Sequence, residues 1–275
     1  AFFGRNDLNA LWVADMDFNA PPEITRALQE RISHEIFGYT LIPDRLNRIV
    51  ADRMNRLYGW KIEPDWVTWM SGVVGGLNMA CRAFGKKIVT TTPVYPPFLS
   101  APANQGKEMI TVPMKAVSRR FCLDYDGLET AFKQGADLFL FCSPYNPCGT
   151  LFTQTELERL TALCRQYGVI ICSDEIHADF VLDPDSRHIP TASISPTATA
   201  QTITLMAPSK TYNIPGLGAS YAIISQPEIR ERFSAAGQGI LPSVNLMGLT
   251  AAQAAYEHCD EWLEELIIYL RDNRD

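Results

Sequence analysis

Seven short runs rich in β-branched and aromatic residues punctuate the chain from residue 66 onward: "WVTWM", "KIVTTT", "EMITVPM", "DLFLFC", "VIICS", "TITLMA" and "YAIIS". Most are separated by helical segments such as "TELERLTALCRQYG". A strand that leads through a helix to another strand makes a crossover, and crossovers give parallel pairing. The pattern predicts an α/β fold, a mainly parallel sheet with helices on both faces. "DLFLFC", apolar at nearly every position, reads as a strand covered on both sides.

Helical periodicity frames this core. Residues 22–37 place Ile24, Ala27, Leu28 and Ile32 on one face, and residues 45–58 repeat the pattern with Leu46, Ile49, Val50, Met54 and Leu57. Three more helices are expected at about 228–238, 244–258 and 260–272. There is no internal repeat and no Gly/Ser linker, so residues 21–275 read as one domain after an N-terminal segment, 1–20. The formal net charge of −7 and the absence of a basic stripe argue against nucleic acid as a partner. No apolar run approaches bilayer length, and no signal peptide is evident, so a cytoplasmic location is expected with no membrane contact. The seven cysteines are scattered, without C-x-x-C or a zinc-spaced histidine, and read as buried reduced thiols with no metal site.

Ligands of open parallel sheets bind beyond the carboxyl ends of the strands. After "WVTWM" comes "SGVVGGL", which is either an anion cradle at a helix N-terminus or an ordinary tight turn. After "DLFLFC" comes "SPYNPCGTLF", where Asn146, taken alone, reads first as a turn residue in an N-P turn signal. After "VIIC" comes "SDEIHADF", in which Asp174 either needs a cationic or N–H partner at a cleft floor or caps a helix. Lys210, after "TITLMA", is an anion-binding or solvated lysine, or a desolvated amine able to condense with an aldehyde. Taken together, an anion cradle, a buried acid, an amide and an amine at strand ends are the parts that hold pyridoxal phosphate (PLP).

The stretches "LWVADMDF", "FGYT", "SGVVGGLNMA", "TPVYPPF", "SPYNPCGTLF", "SDEIHADF" and "APSKTYNIPGL" follow one another in an order that resembles fold-type I PLP enzymes of the class I/II aminotransferase family. The resemblance is greatest to the cystathionine β-lyase, or C–S lyase, branch. It implies that the chain is the large PLP-binding domain, with a small C-terminal domain carrying the carboxylate-binding arginine missing from this sequence. It implies Lys210 as the Schiff-base lysine and general base, Asp174 as partner of the pyridine nitrogen, and Asn146 as donor to the phenolic oxygen, with His177 nearby. Tyr95 would stack on the ring, while the Val73 and Val74 amides after Gly72, with the Ser209 hydroxyl, would hold the phosphate. Tyr39 would reach the site of a neighbouring subunit, implying a homodimer with shared sites and an amino acid as substrate. The implied reaction is α,β-elimination from cystathionine or a related cysteine thioether. Aminotransfer is the alternative within enzymes, and a non-catalytic binding or regulatory module the alternative outside them.

Overall fold

The computed structural model describes residues 4, 5, 7, 8 and 14–275, so Trp12 and Val13 of the "WVADMDF" motif lie outside the described residues. Two helices, α1 (Pro22–Ser33) and α2 (Asp44–Tyr58), precede the sheet. Strand β1 (Val67–Met70) leads into α3 (Val73–Ala83), β2 (Lys87–Thr92) into α4 (Pro97–Asn104), and β3 (Glu108–Pro113) into a hairpin of β4 (Lys115–Val117) and β5 (Arg120–Cys122). Then α5 (Tyr125–Lys133), β6 (Leu138–Cys142), α6 (Gln154–Tyr167) and β7 (Ile170–Asp174) alternate. A short α7 (Pro196–Gln201) precedes β8 (Thr202–Met206), whose end turns into the four-residue α8 (Pro208–Thr211). Strand β9 (Ser220–Ile223) and helices α9 (Pro227–Gly237), α10 (Leu246–His258) and α11 (Asp260–Arg274) complete the chain.

The seven predicted runs form one seven-stranded sheet in the order β1-β9-β8-β7-β6-β2-β3. β9 pairs antiparallel with both neighbours, and every other pair in this sheet is parallel. Side chains alternate across the two faces. Ala222 and Ile224 pack with α3, α6 and α9 residues such as Leu77, Leu160 and Phe233, while Tyr221 and Ile223 pack with Ile24, Val50 and Tyr256 from α1, α2 and α10. All five residues of β6 are buried, as expected of a strand covered on both faces.

Three expectations need correction. Helix α1 stops at Ser33 rather than residue 37, because the chain turns through a left-handed Glu35 (φ 59°), and Ile32 is consequently exposed with Ile36 and Phe37. Leu57, at the end of α2, is also exposed. All seven cysteines are free, but Cys122 and Cys148 are only half-buried.

Candidate active site

Five parallel strands deliver their following residues to a single cavity of about 700 Å³. Gly72, Val73 and Val74 come after β1, Tyr95 after β2, Asn146 after β6, Asp174 and His177 from the end of β7, and Ser209 and Lys210 after β8. Every residue expected at the cofactor therefore lines the same space. Tyr39 does not: it is fully exposed, on a strip with Ile32, Ile36, Phe37 and Leu41.

The anion cradle is built from backbone. Gly72 ends the turn after β1 and α3 starts at Val73, with no side chain capping its first amides. Those amides, at the positive end of the helix dipole, open into the cavity. Close packing keeps the helix there: a Cβ on Gly76 would meet the Met70 sulfur at 2.7 Å and Leu205 at 3.1 Å.

Asp174 is only 4% exposed, and its Oδ1 accepts one hydrogen bond, from the Ile176 N–H at 3.1 Å. No helix follows, so the capping alternative is not what the structure has; the carboxylate closes a turn on its own loop. Burial, with the neighbouring Glu175 charge adding to it, pushes the Asp174 carboxyl up to about 7 against the pull of that N–H. Among the described residues no cationic side chain pairs with it. A buried acid in this state favours a positive hydrogen-bond donor in the cavity.

Lys210 stands on α8, and its Nζ lies 3.4 Å from the Ala14 carbonyl oxygen. No carboxylate pairs with it among the described residues, so its amine is available to the cavity. Burial, and then the Lys210 charge, lower the His177 pKa, which keeps that imidazole neutral. Tyr95 is about half-exposed at the opposite wall.

A family model described as aminotransferase class I and II matches residues 7–275. The chain belongs to this family. It is similar to cystathionine beta-lyase PatB of Bacillus subtilis, 40% identical over 98% of this chain and 71% of the relative. The crystal structure of OvoB superposes with a TM-score of 0.96 at 41% identity, covering 100% of this chain and 73% of that one. Cystalysin from Treponema denticola, whose crystal structure contains a pyridoxal 5'-phosphate cofactor, gives a TM-score of 0.92 at 33% identity over 96% and 68%.

Behind this family site lie polar networks the sequence did not reveal. Of the acids in "SDEIHADF", only Asp174 enters the cavity. Glu175 is fully buried on the far side, accepting from Ser173 Oγ (2.8 Å) and the Thr191 N–H (2.9 Å) and sharing a proton-bearing contact with His188 Nε2 (2.7 Å). Asp179 accepts from Tyr58 Oη (2.7 Å), Thr211 Oγ1 (2.8 Å) and Arg53 Nη2 (3.0 Å). Burial alone would raise the Asp179 pKa, but the Arg53 charge and these hydrogen bonds outweigh it and hold the carboxyl below its usual range. Arg53 could have been noticed, because it falls three residues after Val50 on the apolar face of α2.

Proposed function

We propose that the protein is a PLP-dependent carbon–sulfur lyase that cleaves cystathionine or a related cysteine thioether to a thiol, pyruvate and ammonia. The observation that carries this reading is the convergence of a lysine with no carboxylate partner among the described residues, a buried carboxylate and an uncapped helix N-terminus on one cavity. The similarity to PatB, itself named a cystathionine beta-lyase, supports the choice of a lyase over an aminotransferase.

The donor set fits the cofactor. The Val73 and Val74 amides and the Ser209 hydroxyl suit a phosphate, and Tyr95 suits a ring face. Asn146 suits a phenolic oxygen, with His177 beside it. Asp174, with no side-chain cation of its own, suits a protonated ring nitrogen. When bound, PLP supplies an aldehyde that captures the substrate amine and a ring that accepts electrons from Cα.

The chain's residues then handle position and protons. Lys210 Nζ would hold the cofactor aldehyde and, freed from it, would be the base that takes the proton from the substrate Cα. The Asp174 carboxylate would hold a proton at the ring nitrogen. His177, held neutral by burial and by the Lys210 charge, lines the cavity beside that lysine. The thioether sulfur would depart from Cβ as a thiolate that takes up a proton, and water would hydrolyse the remaining three-carbon fragment to pyruvate and ammonia.

We further read residues 21–275 as the cofactor-binding domain of a cytoplasmic homodimer in which Tyr39 serves the neighbouring site. The exposed apolar residues around Tyr39 and its absence from the lining of its own cavity support the dimer, and the free cysteines support a reducing compartment. No helix among the described residues is long and apolar enough to cross a membrane. The test is to load the protein with PLP and measure thiol and pyruvate released from cystathionine. Cofactor bound with neither product would refute the lyase reading. Keto-acid-dependent amino transfer would point to an aminotransferase, and no turnover of any amino acid to a binding module.

A further inference from the structure

Residues 14–18, "ADMDF", form neither helix nor strand, and the segment enters at Ala14 the walls of both the Lys210 cavity and the adjoining cleft of about 690 Å³. One side chain, 197 positions away, holds this strap. Asn213 Oδ1 accepts from the Met16 N–H at 3.1 Å, and Asn213 Nδ2 donates to the Met16 carbonyl at 3.0 Å and the Phe18 carbonyl at 2.9 Å. A primary amide pairing with both the N–H and the C=O of one residue mimics a strand partner, and both backbone groups lose their need for water. Asn213 itself has a left-handed backbone, φ 54°, a conformation asparagine tolerates better than most residues. It stands three residues after Lys210, whose Nζ points back to the Ala14 carbonyl of the same strap at 3.4 Å. Phe18 also packs edge-on against Tyr269 of α11, with ring centroids 5.2 Å apart.

We propose that Asn213 is a positioning residue that latches residues 14–18 beside the Lys210 cavity, so that the strap backbone at Ala14 forms part of the wall of the substrate site. The proposal rests on the reading of this cavity as the PLP site. The groups expected to hold the cofactor lie on other elements, so the latch governs how substrate is met and leaves cofactor retention alone.

Asn213→Gly is the informative variant. Glycine accepts a positive φ without strain, so the substitution removes the three hydrogen bonds and spares the turn. In the PLP-loaded protein, amide exchange across residues 14–18 should speed up by at least roughly tenfold, with the rest of the chain unchanged. The KM for the thioether should rise roughly tenfold while kcat stays within about twofold, and PLP affinity should hold. Asn213→Asp keeps the acceptor for the Met16 N–H but turns a carboxylate toward two carbonyls, so it should loosen the strap as well. Unchanged exchange in Asn213→Gly overturns the latch. Faster exchange with an unchanged KM overturns the wall. A wild-type protein that binds PLP but cleaves no thioether would sink the proposed function, and the exchange comparison would still decide the latch.

Discussion

Asp174 concentrates the conflict between stability and function at a single residue. Its carboxyl is pushed up to about 7 by burial and by Glu175, from the 3.8 of an unhindered aspartate. Below about pH 4 both the folded and the unfolded chain carry the proton, and burial costs little. As pH rises toward 7 the unfolded chain releases the proton while the folded chain retains it, so stability falls. Above about 7 the loss levels off, on the order of 4 kcal/mol in the absence of a cationic ligand. Urea denaturation of the cofactor-free protein across pH 4–8 should show this decline, and Asp174→Asn should flatten it. The same variant should lose most activity, because an amide cannot keep the ring nitrogen protonated; an active Asp174→Asn protein would contradict the assigned role. Lys210 and Asp174 were legible in the sequence because each follows an apolar run and so must sit at a strand end. The separate fates of Glu175 and Asp179 were not, because one and five residues of loop are enough to turn a side chain away from the cavity.

At the scale of elements, the Lys210 turn is held from behind. Asp179, on the loop after β7, bonds Thr211 of α8 and both Arg53 and Tyr58 of α2, while Arg53 also reaches Asp260 of α11 at 3.2 Å and lies 4.7 Å over the Tyr256 ring of α10. Asp179→Ala would leave buried Arg53 with the half-exposed Asp260 as its ion partner and Tyr58 and Thr211 without their acceptor, and should cost about 3 kcal/mol. Replacing both, Arg53→Met with Asp179→Leu, should cost clearly less than the sum of the single changes, a non-additivity that denaturation of the four proteins would measure. Strict additivity would mean that the two groups do not act as a pair. Helix α2 was legible from its periodicity, but the partners of Arg53 come from loops and helices 126 and 207 positions distant, which no local pattern encodes.

For the whole molecule, the homodimer reading makes a prediction that no single chain can satisfy. Lys210→Ala should be inactive because the amine is lost, and Tyr39→Phe weakened because its hydroxyl would serve the partner's site. Mixing the two after unfolding and refolding should restore part of the activity, since one site in each hybrid dimer draws both native residues. Failure of mixing to exceed the sum of the separate activities would count against shared sites. The sequence by itself determined the seven strands, their largely parallel pairing and the strand ends at which chemistry is placed, because hydrophobic period and crossover handedness are local constraints. It left open which of several polar residues at those ends face a common cavity, that β9 runs against its neighbours, and that Asn213 reaches back to residues 14–18. Those were decided by the tertiary structure alone, because the direction of a side chain and the pairing of a buried charge depend on groups brought together from remote parts of the chain.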